Sequence, residues 1–176
     1  IIYGGIQMII IKFIMLLLVF IVCSFLGNII AKSYSLRVKE LNEFNVALSI
    51  VESKINFTYE PLPEIFLEVS NMVDKSISQI FNNASQNMRE HNAKEAWENS
   101  FENVNSNLSN EDIENIKSLG KMLGQTDKQG QINQLEMTQT LVEMQIKKAK
   151  DEESKNAKMY KTLGTIVGLA IFIILI

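Results

Sequence analysis

Cysteine, histidine and tryptophan occur once each in this chain of 176 residues, and proline twice. The lone Cys23 excludes an intramolecular disulfide, and the lone His91 excludes the multi-histidine zinc patterns. Basic charge is not in excess. The net charge is -3 and the pI about 5.3, so nothing favours nucleic acid as a partner. Of the 17 basic residues only Arg37 and Arg89 are arginine, and Asn, Lys and Ile are abundant, a bias that points to an AT-rich genome. Chemical motifs are missing too: no GxxxxGK[ST], no GxGxxG after a strand, no HExxH and no Cys pair, which argues against an ATPase or a zinc hydrolase. No cofactor, catalytic residue or metal ligand is expected. His91 in "MREHNAKEAW" reads as a solvated side chain. No stretch alternates as strands joined by hairpin turns do, and the length suits a single soluble unit at most.

What is present is charge segregation. Residues 13–31 carry no charge, and nineteen residues at about 1.5 Å each cover the hydrocarbon core of a bilayer, so this is read as a transmembrane helix. A cleavable signal is disfavoured because "CSFLGNIIAKS" continues apolar past any cut, and a lipoprotein reading of Cys23 fails on the preceding Val22. Residues 159–176 form the second expected span, with Lys161 snorkelling to the interface; a soluble core helix would show a polar face that is missing here. Residues 1–7 precede the first Met and are read as a non-native translated leader, "GGIQ" matching a ribosome-binding site, which sets the native start at Met8 and the first membrane segment at 8–31.

Orientation follows from the basic residues beside the spans. Lys32, Arg37 and Lys39 follow the first, and Lys147, Lys148, Lys150, Lys155, Lys158 and Lys161 precede the second, against Lys12 alone on the other side. The middle, residues 32–158, is therefore expected in the cytoplasm, with both termini outside and the lysines of "KKAKDEESKNAK" touching anionic headgroups. Small residues recur at helix-contact spacing, Cys23, Gly27 and Ala31 in one span and Gly164 and Gly168 in the other. They suit packing of the spans on each other or on a partner, a second copy of the chain included; ordinary glycine tolerance in membrane helices fits the spacing equally.

The middle reads as helical throughout. Val38, Leu41, Phe44, Leu48, Val51 and Ile55 recur at three and four, continuing the first span into an amphipathic helix. "TYEPLPEIF" ends that helix, and Pro63 suits the first turn of the next. Asp74 is expected to cap a third helix, and Trp97 to anchor the core from a short helix in the Asn-rich stretch 82–110. Ser109 and Asp112 resemble a capping box, Gly124 fits a left-handed C-cap, and Asp127 caps a helix that runs without a proline into the second span. Glu111, Asp112 and Glu114 at a helix start are assigned to its dipole rather than to acid-base chemistry. The fold expected is all-α: an antiparallel cytoplasmic bundle on two transmembrane helices, its first and last helices continuous with the spans.

The order of four motifs resembles a known family. "LSIVESKINFTYEPLPEIF" carries a Pro-Leu-Pro-Glu turn at Pro61, Leu62, Pro63 and Glu64. Ala96 and Trp97 form a central Ala-Trp pair. Leu119, Gly120, Leu123, Gly124, Asp127 and Gln131 follow, and "KMYKTLGTIVGLAIFIILI" closes the chain. In this order they are similar to the stage III sporulation protein AB family of endospore-forming bacteria, itself similar to one repeat of the inner-membrane platform protein of type II secretion and type IV pilus machines. The middle stretch is more polar and Asn-rich than that pattern. The resemblance implies a non-enzymatic platform subunit of the channel between mother cell and forespore, in the membrane surrounding the forespore. It also implies partners from the same stage III sporulation A operon, including the secretion-type ATPase, protein AA, docked on the cytoplasmic bundle. The Pro61 to Glu64 turn and the segment carrying Leu119 to Gln131 are the candidate partner-contacting or fold-setting places. A two-span signalling or sensor subunit is the alternative, though almost no residues lie outside the membrane on its far side to bind a ligand.

Overall fold

The computed structural model describes residues 2–175, with side chains from residue 11 onward. Residue 1 and the side chains of residues 2–10, where the expected leader 1–7 and the start at Met8 fall, lie outside the described residues. Among the described residues the chain is helical without a strand: α1 (Ile2–Phe57), α2 (Leu62–Ser70), α3 (Lys75–Asn87), α4 (Ala93–Asn99), α5 (Asn110–Lys117), a 3₁₀ turn (Ser118–Lys121), α6 (Lys128–Glu152), a π-turn (Glu153–Ala157) and α7 (Lys158–Leu175). They form two units, one from Ile1–Ser35 with Lys150–Ile176, the other from Leu36–Ala149.

In the first unit α1 and α7 pair along apolar stretches, and both helical runs are long and apolar enough to cross a membrane. Their large side chains face outward: Met15, Phe25 and Ile173 are each more than 60% exposed, at 63%, 64% and 68%. An apolar surface of this extent is unfavourable in water and matches a lipid-facing one. Contacts descend on α7 as they rise on α1, so the two run in opposite directions. Phe13 meets Phe172 edge to face with centroids 6.1 Å apart, and Tyr34 stacks on Tyr160 at 6.0 Å. No proline interrupts the run from α6 to α7, yet it is not uniform, because the π-turn sets one wider turn between them.

The second unit is built by the 3.6-residue stripes. Leu41, Phe44, Leu48 and Val51 of α1 are fully buried, and Ile132, Leu135 and Val142 of α6 join them in the core. At its centre Trp97 is surrounded by Phe44, Phe66, Phe81 and Phe101, with ring centroids 5.5–6.1 Å from its own. Its indole Nε1 donates to the Ile116 carbonyl at 3.1 Å, so the one polar atom of the ring is satisfied inside the core.

Local signals start most of the helices. Pro61 precedes α2 in extended conformation, its carbonyl accepts from the Glu64 and Ile65 amides, and Pro63 occupies the first turn where its missing N–H is not needed. Ser109 and Asp112 form a complete capping box on α5. Asn92 caps α4 by accepting from the Glu95 amide at 2.9 Å, a cap hidden in the Asn-rich stretch. Asp74 sits at the N-cap position of α3 but its carboxylate makes no cap; it takes the Lys39 ammonium instead, while its amide donates to Glu43. A cross-helix charge partner has outcompeted the local bond there.

Candidate functional site

The small residues of the two apolar helices are where backbones meet. A Cβ on Gly27 would lie 2.7 Å from the Tyr160 carbonyl oxygen and 3.1 Å from the Gly164 Cα. One on Gly164 would lie 2.8 Å from the Cys23 carbonyl oxygen, and one on Gly168 would lie 2.9 Å from the Phe20 ring. Ala31 is buried and Cys23 is half-buried as a free thiol. Glycine here removes the side chain that would hold the helices apart, so the backbones approach closely at these positions.

In the second unit the turn residues Pro61 and Glu64 are exposed, and Leu62 and Pro63 half-buried. The Ser85 hydroxyl donates to the Pro63 carbonyl at 2.7 Å, which ties the start of α2 to α3. Just before the turn, Phe57 and Tyr59 project almost fully into solvent, at 84% and 106% exposure. Nothing in the apolar periodicity marks these two as outward-facing, because Phe57 continues the helix and Tyr59 lies beyond its end.

The segment with Leu119 to Gln131 divides between core and caps. Leu119 and Leu123 are buried. Gly120 lies under the Trp97 ring, where an added Cβ would sit 3.0 Å from Cδ1. Asp127 caps α6 by accepting from the Gly130 amide at 2.9 Å. The Gln131 amide nitrogen reaches the Thr126 carbonyl, while its Oε1 is buried without a hydrogen-bond partner. Gly124 has φ +68°, in the left-handed region, and a Cβ there would also stand 3.2 Å from the Ala93 Cβ. Gly124→Ala is therefore expected to destabilise the second unit by about 1 kcal/mol, read as a lower thermal midpoint of the Trp97 fluorescence transition. An unchanged midpoint would mean that the turn relaxes without strain.

A polar centre that helix-start logic alone does not reveal lies between α1 and α5. Arg37 grips the Asp112 carboxylate with two bonds, Nε to Oδ2 at 2.7 Å and Nη2 to Oδ1 at 3.0 Å, and Asp112 is fully buried. Burial pushes the Asp112 carboxyl up, but Arg37 and the Ser109 amide and hydroxyl outweigh it and hold the group below its ordinary value. Asp112 thus serves the capping box and a bond to a residue 75 positions away. Nearby Glu111 accepts from Lys148 and Gln145, which lower its carboxyl in that order. His91 is exposed beside Glu95, and no group of three potential metal ligands occurs among the described residues. The arrangement is one of helix contacts and charge clamps.

Comparison with known proteins bears on the family of the chain. The family profile described as stage III sporulation protein AB matches residues 12–176. Stage III sporulation protein AB of Bacillus subtilis (strain 168) is 28% identical over 153 residues, spanning 85% of this chain and 90% of that protein. A solved structure titled stage III sporulation protein AB aligns with a TM-score of 0.62 at 23% identity, over 67% of this chain and 96% of that one, a likeness of fold.

Proposed function

We propose, from the premise that this chain belongs to the stage III sporulation protein AB family, that it serves sporulation as a non-enzymatic membrane platform of the channel between mother cell and forespore. The role in sporulation follows from the family. The platform reading is carried by one observation: a folded helical unit, Leu36–Ala149, lies in the chain between two glycine-paired apolar helices. Such a chain presents a protein surface at a membrane. The lysines beside both apolar stretches favour the cytoplasmic side for that unit, in the mother-cell compartment and the membrane around the forespore.

By analogy with secretion platforms, the cytoplasmic unit docks the secretion-type ATPase of the same operon, and the apolar helices contact the operon's membrane proteins. The exposed pair Phe57 and Tyr59, beside the Pro61 to Glu64 turn, supports docking there, since solvated aromatics flanking a rigid turn suit an interface hot spot. A photo-crosslinking residue placed at Tyr59 is expected to capture the ATPase in sporulating cells, whereas one placed at exposed Glu102 captures none. Deletion of the gene followed by normal spore formation, in a spore-forming host, would refute the platform reading. Labelling of a cysteine at Tyr59 only from outside the cell would refute the cytoplasmic placement.

A further inference from the structure

The first unit contains an open cavity of about 700 Å³, rimmed by lysines, that the platform reading does not use. One wall is a single stripe of α1, Asn28, Ala31, Lys32 and Ser35, spaced so that all four fall on one helix face. The opposite wall comes from the end of α6, the π-turn and the start of α7, and carries Lys150, Lys158 and Lys161. The four lysines are exposed, and none of their ammonium groups has a hydrogen-bond or ionic partner among the described residues. The one carboxylate in the wall, Glu153, accepts from the Ser35 hydroxyl across the cavity.

Two independent features indicate that the cavity is more than a gap between basic helices. The π-turn Glu153–Ala157 forms part of its wall, supplying Glu153, Ser154 and Ala157, and π-turns inside helices occur frequently at functional sites because they re-aim side chains. The cavity also stands at a defined depth. Ala31 closes the uncharged run 13–31, and Lys161 is the last charge before the apolar run of α7. With those runs in hydrocarbon, the cavity is level with the phosphates of a leaflet.

We propose that this cavity is a headgroup site for an anionic phospholipid, whose phosphate is held by Lys32, Lys158 and Lys161 with Lys150 behind them. Ammonium groups on flexible stems suit phosphate as point charges, and basic pockets between membrane helices hold multiply charged headgroups in this way. Set against the four lysines, the one Glu153 carboxylate leaves a formal excess of three positive charges in the wall, which suits a phosphate. The site rests on the reading that the two apolar helices cross a membrane.

The test uses the full chain in mild detergent, titrated with cardiolipin, phosphatidylglycerol or phosphatidylcholine and read by native mass spectrometry. One cardiolipin or phosphatidylglycerol molecule is expected to stay on each chain, and phosphatidylcholine none. Changing Lys32, Lys158 and Lys161 to Gln is expected to weaken retention roughly fivefold for each lysine replaced. Lys147→Gln with Lys155→Gln, basic residues outside the cavity, is expected to leave it unchanged. Ala157→Leu, which adds bulk to the wall and keeps every lysine, is expected to weaken retention. Equal loss in the Lys147 and Lys155 variant, equal retention of phosphatidylcholine, or displacement of the lipid by millimolar inorganic phosphate would each overturn the proposal. Release of the native protein from membranes by alkaline carbonate would overturn the membrane reading and the site together. Retention in the membrane without lipid preference would overturn the site alone.

Discussion

Asp112→Ala is expected to destabilise the helical unit Leu36–Ala149 by about 3 kcal/mol, because it removes the carboxylate that takes two charge-assisted bonds from the buried Arg37 guanidinium. The same change removes the acceptor of the Ser109 amide, which a capping loss alone prices at about 1 kcal/mol. The measurement is denaturant unfolding of the full chain in detergent followed by the fluorescence of Trp97, the chain's one tryptophan. Its ring donates to Ile116 of α5, so it reports on the helix that Asp112 begins. Arg37→Lys should recover only part of the clamp, since an ammonium cannot reproduce two parallel bonds from a planar fork. One of the chain's two arginines is thus placed where lysine is chemically inadequate. A loss below about 1 kcal/mol in Asp112→Ala would mean that water reaches the site and the pair is effectively exposed.

The clamp also predicts an acid limb. The folded-state value of the Asp112 carboxyl is held below the ordinary 3.8. A depressed carboxylate contributes stability that is fully present above the ordinary value and is lost as pH falls through the lower folded value. The stability difference between the wild type and Asp112→Asn should therefore be largest above about pH 5 and shrink below pH 4. Asp74, lowered by a hydrogen bond from Lys39, remains in both proteins and cancels in the difference; Glu111, lowered chiefly by Lys148, keeps only its smaller coupling to the Asp112 charge there. A difference independent of pH down to 2 would show that the pair does not titrate as a clamp.

Gly27→Leu is expected to break the pairing of α1 with α7. The atoms an added side chain meets first are the Tyr160 carbonyl oxygen and the Gly164 Cα, both backbone, so no rotamer change can make room. Overpacking of this kind costs about 1–3 kcal/mol, and the pairing constant falls roughly tenfold or more. Cysteines introduced at Phe13 and Phe172, whose rings touch, read the pairing through oxidative crosslinking in a Cys23→Ala background. Crosslinking should fall in Gly27→Leu and Gly164→Leu, and persist in Val19→Leu, an exposed position on the same helix. Undiminished crosslinking in both glycine variants would show that the helices do not meet along this face.

Much of the local architecture was legible from residue order. Uncharged runs long enough for a bilayer, apolar stripes at three and four, the Ser109 and Asp112 box, Asp127 at a helix start and Gly124 after a turn all act over a few residues. Such signals survive in one dimension because the interacting groups are neighbours in the chain. Asp74 shows the limit of that logic: its sequence position is that of a cap, and Lys39, from another helix, takes its carboxylate.

The features with the largest consequences are of the second kind. Arg37 and Asp112 are 75 positions apart. Gly120 is glycine because Trp97 lies on it, and Gly27 because Gly164 does. The lysine cavity joins one stripe near residue 32 to another near residue 158, and neither stripe forms a site alone. Residue order set the helices, their apolar faces and their caps, since backbone hydrogen bonding and hydrophobic period are short-range. Which buried charge finds a partner, which glycines touch and which lysines face one cavity depend on helix packing, where groups far apart in the chain come within a few ångströms.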